Sequence, residues 1–310
     1  MADAGDNVTP LRPALVREFE AEMARLGLSQ NRVSRHLGMS TARLSQWRAG
    51  KYQGDSAAVD EAVRRWLDTG EELEGRRLDG ARLDAHQALA VTREISSLLA
   101  HAQATADVVL VQGSSGVGKS WAAERYADTH SAASYVMMTR AVRSLTGMLG
   151  LVASAVGATG PMGSALAAER SVIDALQGRS ALLIVDEAHH LTPRLLDELR
   201  CIRDVAGCGL ALIGDTTIAM PLARCPQILG RIGGRIERKT ASEEDVEILL
   251  SSFLERPAKK REFDLALQAA RRAGGLHALR RLLARGYMFA RIEDRDLVTL
   301  DDLKMAAKAA

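Results

Sequence analysis

Two short stretches hold most of the chemistry in this chain. GSSGVGKS, Gly113 to Ser120, fits the pattern G-x-x-x-x-G-K-[ST]. Gly113, Gly116 and Gly118 let the backbone curl until its N–H groups surround an anion, with Ser114, Ser115 and Val117 completing the loop. Lys119 then reaches the β- and γ-phosphates of ATP, and the Ser120 hydroxyl is a ligand for Mg²⁺. The second stretch, IVDEAHHL, Ile184 to Leu191, ends an apolar run in two carboxylates. Asp186 belongs beside the loop, holding the magnesium, and Glu187 is placed to polarise an attacking water as general base. His189 and His190 stay open between sensing phosphate or DNA and ordinary hydration.

These residues need a strand-to-helix frame. ADVVLVQ precedes the glycine loop, and a helical pattern starts at Lys119. Strands are expected at Asp107–Gln112, Ser134–Met138, Ala181–Val185 and Leu210–Ile213, with helices from Lys119, Val142, Thr192 and Ala219. That alternation predicts an α/β class: a parallel sheet flanked by helices, preceded by a helix from Ala85 to Ala102. From about Ser242 the pattern turns helical again, with Ser242 and Asp245 resembling a capping box and a last helix near Thr299.

DEAH is also the label of a helicase family, and QILGRIGGRIER, Gln227 to Arg238, mimics that family's arginine motif. It lies too soon after Asp186 to leave room for a second lobe, so strand separation is the disfavoured reading. A single lobe needs a trans-acting arginine, and Arg231 and Arg235 fall after the fourth strand and a helix, where one is expected. Arg280, in GGLHALRRLL, is placed to reach the γ-phosphate from a lid. Asp215, at the end of the fourth strand, is placed to orient the lytic water, although like charge makes an acid a poor neighbour for phosphate.

The N-terminal segment has the internal logic of a helix-turn-helix. A helix over Ala14–Leu28 leads to a short one over Gln30–Leu37, Gly38 supplies the turn, and Ser40 or Thr41 caps the next. Leu44 and Trp47 face inward, and Ser34 is small where the helices must approach. Arg32, Arg35, Thr41, Arg43, Gln46, Arg48 and Lys51 are the expected DNA contacts. A helix over Ala57–Leu67 closes the unit, and Asp68–Gly80 reads as a linker. The expected division is 1–70 DNA-binding, 71–84 linker, 85–241 ATPase core and 242–310 helical lid.

The net charge of +2 hides the distribution of charge. No acid falls between Glu22 and Asp55, nor from Leu265 to Ile292, and both spans are rich in arginine. The three cysteines, Cys201, Cys208 and Cys225, show no zinc spacing and fit reduced thiols. MADAGDNVTP lacks the regions of a signal peptide, and no apolar run approaches the ~20 residues of a membrane span. The expectation is a cytoplasmic chain.

The order of these features resembles the AAA+ ATPases. KYQGD, Lys51 to Asp55, and RWL, Arg65 to Leu67, make the resemblance specific to the phage Mu transposition protein B family along nearly the whole chain. IstB-like and TnsC-like transposition helpers resemble the ATPase portion only. The resemblance implies an ATPase that binds ATP and Mg²⁺, forms helical filaments on double-stranded DNA with little sequence preference, and delivers that DNA to a DDE transposase, which it also activates. It matches Lys119, Ser120, Asp186 and Glu187 to the family's motifs. Arg231 and Arg235 both fall where the family places its finger, and Asp215 departs from the usual Asn. An ATPase-gated transcriptional regulator and a helicase-loader adaptor are the alternatives.

Overall fold

The computed structural model describes residues 11–26, 30, 33–34, 37–52, 54–72, 89–295 and 297–309. Contacts divide the chain into two compact units, 1–83 and 84–310.

In the first unit, α1 (Leu11–Leu26), α2 (Thr41–Arg48) and α3 (Ser56–Glu72) enclose Leu15, Phe19, Val33, Leu44, Trp47, Val59, Val63 and Trp66. Phe19 meets the Trp47 ring edge-on at 5.7 Å, and Trp47 Nε1 donates to Asp60 at 2.6 Å, so the buried indole keeps a polar partner. Ser40, rather than Thr41, caps α2, accepting from the Arg43 amide, and Gly38 turns the chain at φ +64°. Ser34 is buried at the helix approach, where its hydroxyl bonds that of Thr41 at 3.1 Å. α3 continues to Glu72, so 68–72 are helix and not linker. The remainder of that expected linker, 73–80, lies outside the described residues, as do 85–88 of the next expected helix, which is described from Ala90.

The second unit is built on five parallel strands: β1 (Val108–Gly113), β2 (Ala133–Met137), β3 (Leu182–Asp186), β4 (Gly209–Gly214) and β5 (Ile232–Arg238). Their order is β2-β3-β4-β1-β5. β1, β3 and β4 are buried throughout, which is why they read as continuous apolar runs. Alternate residues such as Leu110, Leu183, Val185 and Leu212 enter a core with α6 (Leu145–Val156), α7 (Ala165–Leu176) and α8 (Pro193–Ala206). Neighbouring positions on the same strands are equally buried but lie outside that core, and α4 (Ala90–Thr105) and α5 (Lys119–Thr129) also pack on the sheet.

Three expectations change here. The helix expected from Val142 starts at Leu145, capped by Ser144, while Val142 is buried in the preceding loop. A second helix, α7, fills the same crossover, entered by a Ser164 cap after a stretch holding Gly160, Pro161 and Gly163. The largest change is β5, which takes residues that mimic a helicase arginine motif and that the sequence pattern assigns to no strand. Its glycines fit a strand only because the neighbours leave no room for a side chain. A Cβ at Gly234 would lie 2.5 Å from Leu98, and one at Gly233 would lie 1.8 Å from Asp107.

After β4 come two short helices, α9 (Ala219–Ala223) and α10 (Pro226–Leu229). Beyond β5 lie α11 (Glu243–Leu254), α12 (Lys260–Ala270), α13 (Gly275–Ile292) and α14 (Leu300–Lys308). Ser242 caps α11 as expected, but the Asp245 carboxylate does not complete a reciprocal box. It reaches across to the Val91 amide in the first turn of α4, joining the C-terminal helices to the sheet layer. Thr299 and Asp302 form a full capping box at α14.

Candidate functional site: a phosphate loop beneath a helical cap

β1 delivers the loop Gly113–Gly118, and α5 begins at once with Lys119. Gly116 and Gly118 take φ +81° and +101°, so the loop needs a left-handed backbone that only glycine adopts cheaply. Gly118 is also the N-cap of α5 and offers no side-chain cap, leaving the first-turn N–H groups directed at the loop's hollow. The unexpected strand β5 anchors the loop's start: the Ser114 amide donates to Arg238 O at 3.0 Å.

Lys119 is 7% exposed and donates to the carbonyls of Gly113 and Ser114, each at 2.8 Å. Burial lowers its pKa, against the opposing pull of Asp186, Glu187 and Asp215. An ammonium held by two carbonyls inside an amide-lined loop is poised to exchange them for phosphate oxygens.

At the end of β3, Asp186 is fully buried. Tyr135, on β2, donates its hydroxyl to Oδ2 at 2.7 Å, and the Glu187 amide donates to Oδ1 at 2.8 Å. Tyr135 escaped the sequence reading because nothing in its strand marks a partner on the next one. Glu187 sits at φ +55°, a left-handed conformation that costs a non-glycine residue about 1–3 kcal/mol. The 3₁₀ turn Ala188–His190 follows.

His189 joins the two carboxylate-bearing strand ends. Its Nε2 lies 3.4 Å from Glu187 Oε2 and 3.6 Å from Asp215 Oδ2. His190 Nε2 is 3.8 Å from the same Glu187 oxygen, and burial, followed by the neighbouring His189, lowers the His190 pKa. Burial pushes the Asp215 carboxyl up. The hydrogen bonds from Thr217 and the charges of His189 and Lys119 outweigh it, so Asp215 sits below the usual carboxylate range and is ionised.

A cleft of about 510 Å³ gathers these groups. Ser115, Gly116, Gly118, Lys119 and Ser120 line its floor, Glu187, His189, His190 and Asp215 one wall, and Gly274, Leu276, His277 and Arg280 the cap. Arg140, exposed in the turn after β2, lines it too, and no motif announced it. The cap touches the loop directly: a Cβ on Gly116 would lie 1.9 Å from Gly274 O. Loop, lysine and helix start fit a triphosphate, while the Ser120 hydroxyl and the Asp186 carboxylate are the oxygen donors a magnesium ion takes.

Arg231 and Arg235 do not line this cleft. Arg231 pairs with Asp204 at 3.0 Å and donates to Gln227 O at 3.1 Å. Arg235 is exposed, opposite Leu110 in the β5–β1 register.

In the first unit the expected DNA contacts divide. Arg32 and Arg35 lie outside the described residues. Gln46 and Lys51 are exposed. Thr41 is engaged with Ser34, and the Arg43 guanidinium lies 5.2 Å from the Tyr52 ring centre. Arg48 does not point freely outward: it pairs with Glu20 at 2.6 Å and donates to Gln30 at 2.5 Å. Arg48 Nε and Nη2 both donate to the same Glu20 oxygen, so the guanidinium is held against α1.

Comparison with known proteins bears on the fold and the family resemblance. Residues 102–220 match the AAA domain family model. The ATP-dependent target DNA activator B of Escherichia phage Mu is 25% identical over 92% of this chain and 90% of its own length. The Mu-like prophage FluMu DNA transposition protein B of Haemophilus influenzae is 28% identical over 66% of this chain and 70% of its own length. Among solved structures, the Aeropyrum pernix ORC2 protein, in its ADPNP and ADP complexes, superposes with a TM-score of 0.54 at 16% identity. That match covers 70% of this chain and 66% of that one. The resemblance drawn from KYQGD and RWL therefore stands, and the fold is that of the AAA+ P-loop NTPases. The chain thus has the AAA+ P-loop NTPase fold, with the AAA domain match over residues 102–220, and is similar along nearly its whole length to the ATP-dependent target DNA activator B of Escherichia phage Mu.

Proposed function

We propose that this chain is an ATP-gated DNA-binding protein of DNA transposition. It assembles as a filament on double-stranded target DNA with little sequence preference, presents that DNA to a DDE transposase and activates it, and releases the DNA on hydrolysis. The observation that carries the reading is an incomplete pocket. Lys119, Glu187 and Arg280 line one cleft, with Asp186 buried next to Glu187 at the end of β3, while Arg231 and Arg235 remain outside it. A neighbouring copy that inserts one of them completes the site, and Arg235 is the better placed because Arg231 is held by Asp204.

In this mechanism the loop amides and Lys119 bind the phosphates of ATP, and Ser120 and Asp186 would hold Mg²⁺, which would neutralise phosphate charge. Tyr135 fixes the Asp186 carboxylate. Glu187 takes a proton from water, with Asp215 and His189 setting its surroundings. Arg280 reports the γ-phosphate to the helical cap, residues 242–310 in the division expected from sequence, with the core at 85–241. ATP at a subunit boundary favours polymer, and polymerisation turns modest phosphate contacts into tight, salt-sensitive binding. Residues 1–70 act as a helix-turn-helix, joined through 71–84, and supply part of those contacts. The engagement of Thr41 and Arg48 within that unit supports phosphate contact over base readout. Among the described residues no helix is long and apolar enough to cross a membrane, and we place the chain in the cytoplasm.

Negative-stain microscopy with random duplex DNA, with and without a slowly hydrolysed ATP analogue, tests the reading. Filaments are expected only with nucleotide, absent for Lys119→Ala and persistent with ATP for Glu187→Gln. Full turnover by a dilute monomer would overturn it.

A further inference from the structure

The turn after β3 places two imidazoles and a carboxylate closer together than hydration alone requires. Glu187 Oε2 is 3.4 Å from His189 Nε2 and 3.8 Å from His190 Nε2. A ligand atom of each of these three residues lies within 4.8 Å of the others. Both imidazole contacts are too long for hydrogen bonds, whose N···O distance is ~2.7–3.2 Å. The shorter of them matches another geometry. Metal–ligand bonds of ~2.0–2.1 Å at a tetrahedral angle leave neighbouring donors roughly 3.3–3.4 Å apart.

We infer that Glu187, His189 and His190 form a second cation site, selective for a borderline transition metal of the Zn²⁺ class, and that its occupation blocks ATP hydrolysis. The blocking effect rests on the role given above to Glu187; the binding does not. Mg²⁺ prefers oxygen and keeps its water, whereas two imidazoles and one carboxylate suit Zn²⁺ and Co²⁺ and leave a fourth position open. The backbone supports this. Glu187 is held left-handed at φ +55° and leads directly into the 3₁₀ turn bearing both histidines. Two features oppose binding and one of them is small. The His189 Nδ1 contact with the Asp215 amide, at 3.4 Å, is given up when Nε2 takes a metal, a weak bond to lose. Arg140 also lines the cleft, but it is exposed, and the Asp215 carboxylate lies 3.6 Å from His189 on the other side. A cation here neutralises the one carboxylate that accepts the water proton, and hydrolysis stops while the phosphate loop stays intact.

The test is titration of the chelator-stripped full chain with Co²⁺, without nucleotide. One equivalent is expected to bind per chain, with the visible d–d absorption of a four- or five-coordinate ion, displaced by Zn²⁺ and not by millimolar Mg²⁺. His189→Asn and His190→Asn are each expected to weaken Co²⁺ by at least about a hundredfold, beyond what loss of an outer-shell partner costs. During MgATP turnover, micromolar free Zn²⁺ is expected to suppress the parent and to leave untouched whatever rate His190→Asn retains. A weak octahedral spectrum, a thiolate charge-transfer band pointing to the cysteines, or unchanged affinity in both variants overturns the site. Tight binding with undiminished hydrolysis overturns the blocking effect. A chain that binds Co²⁺ as described but never hydrolyses ATP leaves this site standing and removes the proposed function instead.

Discussion

Gly116→Ala is the sharpest test of the contact between phosphate loop and cap. The new Cβ would stand 1.9 Å from the Gly274 carbonyl oxygen and 2.5 Å from its carbon, where real Cβ contacts essentially never come below 3.0 Å. Relief requires about 1.1 Å of relative movement between two backbones, and no rotamer can supply it. The left-handed φ of +81° adds ~1–2 kcal/mol for any L side chain. Gly207→Ala separates the two effects: it shares a positive φ of +65°, but nothing lies within 4 Å of its Cβ. Gly207→Ala is expected to lose ~1–2 kcal/mol in denaturant melts, and Gly116→Ala more than that. Only Gly116→Ala is expected to lose function in addition. A shift near 1 Å at a reacting centre costs roughly a hundredfold in turnover, and nucleotide affinity falls with it because the loop amides move. The assay pairs binding of a fluorescent ATP analogue with steady-state phosphate release. Turnover in Gly116→Ala equal to that in Gly207→Ala would refute the claim that the cap bears on the loop.

Other outcomes follow from single contacts. Tyr135→Phe removes the 2.7 Å bond to Asp186, and a 10–100-fold loss in Mg²⁺-dependent turnover is expected with magnesium-free nucleotide binding preserved; an unchanged magnesium midpoint counts against that role. Arg235→Ala is expected to cut hydrolysis without weakening nucleotide binding, whereas Arg231→Ala loses only an exposed ion pair with Asp204, within ~1 kcal/mol of stability. Full turnover in Arg235→Ala moves the finger elsewhere. Asp302 takes a double hydrogen bond from Arg295, which lowers its pKa from 3.8 to about 2. A depressed carboxyl stabilises above its unfolded pKa and loses that effect as pH falls through the folded one. Asp302→Asn should therefore cost up to about 2 kcal/mol at neutral pH, less for screening at the third-exposed Arg295, and close to nothing near pH 2. Equal losses at both pH values in melts would show that the ion pair is not the cause.

What the sequence determined by itself is chemistry that depends on local order. GSSGVGKS specifies its own backbone, because the glycines' positive φ and the following helix start are local properties. The fully buried strands β1, β3 and β4 announce themselves as apolar runs, and Ser40, Thr192, Ser242 and Thr299 mark helix starts through bonds three residues away. Tertiary structure alone decided the rest. β5 carries two glycines and charged residues, a poor strand by composition, and forms because β1 offers an open edge with Leu98 and Asp107 leaving room only for glycine. Tyr135, Arg140 and the cap glycines join the site across separations that no periodicity encodes. Arg48 fits a DNA contact by position on its helix, yet Glu20, distant in sequence, takes its charge. Propensity and motif act through neighbours along the chain; edge pairing, ion pairing and the closure of loop by cap act through space, and these settle which of the motif's candidates meet.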